Sequence, residues 1–162
     1  MYTNNKVGNV IYKVIEYFGD DVRRINHFLK VYGYVKMIGE CENLDDSMQE
    51  ILEVTAVLHD VGIKVAEQKY NSSAGHYQQL EGPPVAKKIL DELGYPDDFV
   101  ERVMYLIAHH HTYTNIDGMD YQILVEADFL VNADEDRLSS DAIENFKEKI
   151  FKTTTGIAVL EN

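Results

Sequence analysis

His59 and Asp60 stand side by side at the end of the apolar run from Leu52 to Leu58. An imidazole beside a carboxylate can hold a divalent cation or move a proton. His59 continues the row of Leu52 and Ala56 at helical spacing, which turns it inward. Taken alone, the pair has an ordinary explanation: a core histidine bonded to a carbonyl, and an aspartate capping the next segment. Two more positions change the weighing. His27 lies in the row His27, Val31, Tyr34, Val35, Ile38, and Asp128 shares a helix face with Leu124 and Val131. A carboxylate on an apolar stripe is costly unless it is paired or ligated. Four such side chains from three helices suit a divalent transition metal: iron, manganese, cobalt, zinc or nickel, with positions left for water and substrate. No thiolate accompanies them, which argues against a structural zinc site.

The elements that must position these residues read as helices throughout. Residues 5–18 place Val7, Val10, Ile11, Val14, Ile15 and Phe18 on one face. Gly19-Asp20-Asp21 breaks the chain, and a second helix from Val22 to Ile38 carries His27. Asp45 or Asp46 caps a third helix, buried on more than one side, which ends at Val61-Gly62 with the glycine expected in a left-handed C-cap. The polar stretch 66–82, with Asn71-Ser72-Ser73-Ala74-Gly75, reads as a loop partly covering the site. Pro83-Pro84 suits the first turn of the next helix, which runs to Gly94.

A helix opened by Pro96-Asp97-Asp98 carries Phe99, Val100, Val103, Leu106 and Ile107 inward. Of His109, His110 and His111 it turns His110 the same way. Asp120 is expected to cap the helix that bears Asp128. A further helix spans about 140–152, with one more turn at 156–160. The expected fold is all-α, a single-domain helical bundle over residues 1–162 with its core at about 20–135.

Composition bounds the function. The formal net charge is −13, and the basic residues cluster no further than the pairs Arg23-Arg24 and Lys87-Lys88. That excludes a phosphate-gripping surface for duplex nucleic acid. The single cysteine, Cys41, forms no internal disulfide and fits a reducing compartment. No apolar run approaches 18 residues and no basic-then-apolar leader is present, so the expectation is a cytoplasmic protein without a membrane span. Eleven tyrosines offer rings on which a base could stack, although tyrosine at helical spacing more often packs in the core or at its rim.

The order His27, His59-Asp60, Asp128 on successive helices resembles the histidine-aspartate (HD) superfamily of metal-dependent phosphohydrolases over roughly residues 20–135. His59-Asp60-Val61-Gly62-Ile63-Lys64 is similar to that family's His-Asp-Ile-Gly-type segment. Glu81-Gly82 ahead of a helix, Ile107-Ala108-His109-His110 and Leu124-Val125-Glu126-Ala127-Asp128 match further elements.

The resemblance implies that His27, His59, Asp60 and Asp128 hold one metal, and that the reaction is hydrolysis of a phosphate ester or anhydride in a small metabolite or nucleotide. A cation there would lower the pKa of a water from about 16 toward roughly 7. Asp60 would orient or deprotonate that water, Lys64 would offset charge on the phosphate, and Glu81 would relay a proton or anchor a ligand histidine. Some branches bind a second metal, for which His76, His109, His110 and His111 are the candidates. The glycine-tyrosine-proline extension of cyclic-dinucleotide phosphodiesterases is missing, as is the acidic pair of the alarmone-hydrolysing branch. Two other readings stand beside the phosphohydrolase: a dinuclear-iron oxygenase on the same scaffold, and a non-catalytic, metal-stabilised binding module.

Overall fold

The computed structural model describes residues 6–162, which contain nine helices and no strand. Asn5, where the first helix was expected to begin, lies outside the described residues. The bundle is organised around α3 (Asp46–Leu58), in which every residue from Leu52 to Leu58 is buried. Its N-cap is Asp45, whose carboxylate accepts from the Met48 N–H at 2.8 Å.

One side of α3 meets α1 (Val7–Phe18) and α6 (Asp97–His109), with α5 (Gly75–Glu92) packed along α6. There Val54, Val57 and Leu58 pack with Val10, Val14, Leu90, Val103 and Ile107. The other side meets α2 (Val22–Cys41) and α7 (Met119–Glu135), where Leu52 and Ala56 join Val31, Val35, Leu124 and Ala127. Each such Val or Leu contributes about 1.5–3 kcal/mol by leaving water, so α3 is held from both sides.

The end of α3 departs from the expected left-handed cap. Gly62 has φ −75° and serves instead as the N-cap position of α4 (Ile63–Tyr70). Glycine is required there by proximity: a Cβ would lie 2.6 Å from the Gly82 nitrogen and 2.7 Å from the Gln78 carbonyl oxygen of α5. The stretch read as a loop over 66–82 is also corrected. It is α4, four connecting residues, and the first turns of α5. Both helices expose most of their polar residues, which weakens the apolar periodicity that reveals a helix. Pro83 and Pro84 therefore sit inside α5 and not in its first turn. Lacking N–H groups, they leave the carbonyls of Gln79 and Leu80 without their helical donors, at a stretch where Leu80 is solvent-exposed.

Asp120 lies within the first turn of α7, behind Gly118 at the cap position. Its carboxylate receives two hydrogen bonds from Arg102 of α6, at 2.7 and 2.9 Å. Arg102 also binds Asp117, and this pins the α6–α7 connection. The chain ends with α8 (Ser140–Ile150) and α9 (Thr154–Leu160). Fully buried Glu126 on α7 fastens their junction, accepting from the Lys152 and Thr153 N–H groups and from the Thr153 hydroxyl. No helix among the described residues is long and apolar enough to cross a membrane.

Candidate metal centre

His59 and His110 are placed by the same local device. Each is the C-cap of its helix, α3 and α6, and each points its Nδ1 at the carbonyl three residues back: Ala56 at 2.6 Å and Ile107 at 2.6 Å. The Nδ1–H groups donate to those helix-end carbonyls, of which Ile107's also accepts from the His110 N–H at 3.5 Å, and in the neutral rings the Nε2 atoms are left as acceptors. His27, on α2, reaches the same state by another route, because its Nδ1 meets Glu135 Oε1 of α7 at 2.8 Å. Lys30 holds that carboxylate from the other side at 3.0 Å.

The acceptor atoms converge. His27 Nε2 lies 3.2 Å from His59 Nε2 and 3.2 Å from Asp60 Oδ2, while Asp128 Oδ1 lies 3.2 Å from both imidazoles. Asp60 Oδ2 is 3.4 Å from His59 Nε2. Two lone pairs and two carboxylates facing one another repel unless positive charge sits among them, and a divalent cation supplies that charge.

In the metal-free cluster protons take the cation's place, and they must leave before the Nε2 atoms can serve as ligands. Burial works against charge on each group, but neighbours outweigh it. The charge of Asp60 and the hydrogen bond to Asp128 push His59 up to about 9. The His59 charge, with His110 close by, holds Asp60 down to about 2. Hydrogen bonds to His27 and His59 hold Asp128 well below the usual carboxylate range. The donor set fits a hard or borderline divalent ion bound through nitrogen and oxygen.

His27, Asp60 and Asp128 line a cavity of about 280 Å³ between α2, α7 and the start of α5, with His59 fully buried behind them. A sequence model of the HD domain matches residues 24–144, which span all four residues. The chain belongs to the HD domain family. That is a family of metal-dependent hydrolases. No curated protein matches the chain. Among solved structures, the chain is similar to a predicted HD superfamily hydrolase from an uncultured Thermotogales bacterium. The two are 23% identical with a TM-score of 0.64, over 96% of this chain and 81% of the other, and they share the fold.

Within this HD domain, the other sequence candidates go to different places. His110 faces inward as expected; its Nε2 is buried without a hydrogen-bond partner, 3.6 Å from Asp60 Oδ1. His111, with Asp60 and His110, forms a second group of metal-competent atoms. His109 turns away, bonded to the Tyr105 carbonyl and stacked on the Tyr105 ring. His76 is exposed in the first turn of α5 against Tyr77. Lys64 reaches back to the Tyr17 carbonyl of α1 at 3.2 Å, and Glu81 is held by Lys69 and Tyr70 at 3.0 and 2.7 Å. Neither lines the cavity.

Sequence reasoning missed Glu135 and Gln78. Glu135 is seven residues beyond Asp128, on the same face of α7, so its signal was present. Gln78 joins His111 Nε2 through Oε1 at 2.9 Å and the Ser73 carbonyl through Nε2 at 2.6 Å. Nothing in the sequence marked it, because its segment read as a loop. Beside Gln78, burial and then the neighbouring His110 pull His111 down to about 4.

Proposed function

We propose that this HD domain is a phosphohydrolase acting on a small phosphorylated metabolite through metal-activated water. The observation that carries the reading is the convergence of His27 Nε2, His59 Nε2, Asp60 Oδ2 and Asp128 Oδ1 at the floor of an open polar cavity. When bound, a divalent cation supplies the charge that acidifies a water and polarises a phosphoryl oxygen.

The chain's own residues supply orientation and proton handling. Glu135 and the Ala56 carbonyl fix the tautomers of His27 and His59, so both Nε2 atoms stay available as ligands. Asp60 uses its two oxygens differently. Oδ2 faces His27 and His59, and Oδ1 faces His110 Nε2. Asp60 Oδ1 is placed to orient the attacking water, and the free lone pair of His110 Nε2 beside it is placed to take the proton that leaves. In this reading Lys64 and Glu81 lose the roles the resemblance suggested, because their side chains are engaged elsewhere.

A dinuclear centre is a second reading, favoured by one observation: Asp60, His110 and His111 offer a second ligand group with an unpartnered nitrogen. Two irons there would be compatible with oxygenase chemistry. The test is phosphate release from a panel of phosphomonoesters by manganese-loaded protein, with metal counted per chain. Release that Asp60→Asn removes without loss of helicity is the expected result. Metal-replete protein that releases no phosphate and consumes oxygen instead would replace the first reading with the second.

A further inference from the structure

The cavity's walls carry information that its floor does not. Its acidic residues are Asp60, Asp128, Glu135 and Asp136, and the whole chain is strongly anionic. A phosphorylated ligand entering there needs positive charge at the wall as well as at the floor. Two arginines line the cavity. Arg24 is already neutralised, 3.0 Å from Asp21 and 2.8 Å from Glu67. Arg23, one helical turn before His27 on α2, makes no hydrogen bond or ion pair among the described residues. A planar guanidinium binds phosphoryl oxygens in pairs, which a lone lysine does not do.

The rest of the wall is hydrophilic. Ser73, Asn132 and Asp136 line it with side chains that bond to nothing else among the described residues, and Asn132 is one turn beyond Asp128. Ile63 is the one apolar side chain among the described lining residues, and no tyrosine is among them. Several tyrosine rings stack away from the cavity: Tyr70 on Tyr77 at 4.1 Å, Tyr95 on Phe99 at 4.7 Å, and Tyr113 against Phe146 at 5.3 Å. A base binds by stacking on such faces, whereas a polyol binds by hydrogen bonds from its hydroxyl groups. The volume of about 280 Å³ lies at the lower limit of ligand pockets, roughly 300–1,000 Å³.

We infer that the ligand class is a sugar or polyol phosphate, with Arg23 gripping the phosphoryl group and Ser73, Asn132 and Asp136 meeting the hydroxyls. This rests on the phosphohydrolase reading for the fate of the ligand, but not for its binding. The discriminating experiment is calorimetric titration of manganese-loaded protein with a pentose phosphonate and with the matching adenosine phosphonate. In each, a C–P bond replaces the ester and cannot turn over. The pentose phosphonate is expected to bind at least tenfold more tightly. Arg23→Gln should weaken both at least tenfold with manganese content unchanged, and Asn132→Leu should weaken the pentose phosphonate selectively. Arg23 is exposed, so its variant should fold, and circular dichroism checks that it does.

Equal or tighter binding of the adenosine phosphonate overturns the ligand class. Wild-type affinity in Arg23→Gln overturns the role of Arg23, and binding of neither phosphonate overturns both. If the expected pattern appears while the corresponding sugar phosphate is not hydrolysed, the ligand class stands and the hydrolytic reading falls.

Discussion

His27 Nε2 and His59 Nε2 face each other at 3.2 Å, and the Nδ1–H of each ring is already committed, to Glu135 and to the Ala56 carbonyl. Neither Nε2 can serve as the hydrogen-bond donor to the other while both rings are neutral. The pair is built for a shared cation.

One transition metal per chain is therefore expected in protein purified without chelator. His59→Ala should lose it, while His110→Ala keeps at least that one. Metal analysis of the three proteins reads this directly. A metal concentration about 100 times the dissociation constant should add roughly 2.7 kcal/mol of stability to the wild type. Equal thermal midpoints with and without metal, in protein shown to be metal-free at the start, would contradict it.

Glu135 acts on the metal through His27. Removing its carboxylate frees the imidazole to rotate or change tautomer, and losing such a partner typically costs 10–100-fold in metal affinity. Glu135→Ala should show that loss by competition with a chelating dye, while Glu135→Gln, which still accepts a hydrogen bond, should recover part of it. If the two variants bind metal as the wild type does, Glu135 has no orienting role.

Lys64→Ala and Glu81→Gln are expected to keep turnover within about threefold of the wild type, since each change alters kinetics only if its side chain meets the reacting atoms. Their partners are Tyr17, Lys69 and Tyr70, away from the cavity. A hundredfold fall in either variant, with metal content intact, would return that residue to the site.

Alkaline pH should weaken the fold through two phenols. Burial, then the Glu50 charge, pushes Tyr95 up to about 12, and burial, then Tyr105, does the same to Tyr121. An unfolded tyrosine titrates near 10. The stability gained by keeping these phenols neutral is complete below pH 10 and is lost as pH rises from about 10 to about 12. Two such groups give a slope of roughly 2.7 kcal/mol per pH unit in that window. Urea denaturation across the window should show Tyr95→Phe losing about half of the slope; an unchanged slope would remove Tyr95 from the account.

The inward row that includes His59 was legible because α3 is buried on both sides and its apolar pattern is dense. Asp128 was legible for the opposite reason, a charge where the stripe demanded an apolar residue. His27 followed from a long row on α2. The segment 66–82 was not legible, because α4 and the start of α5 show water most of their surface and carry turn-forming residues between them. That error hid Gln78 and gave His76 a loop it does not occupy. Choosing His110 over its neighbours followed from periodicity. The place of His111 depends on the turn just after α6, where helical spacing no longer applies.

Gly62 meets the backbone of α5 at Gly82 without a side chain between them, and any Cβ at Gly62 would collide there. Asp60 is two residues before that contact, and Gln78 is one turn before it on α5. The floor of the cavity and part of its wall are thus keyed together like a tongue in a groove. A shift of α5 is passed to the turn that carries Asp60, with no flexible side chain to absorb it. Substitutions along the outer face of α5, far from any ligand atom, should therefore be felt at Asp60.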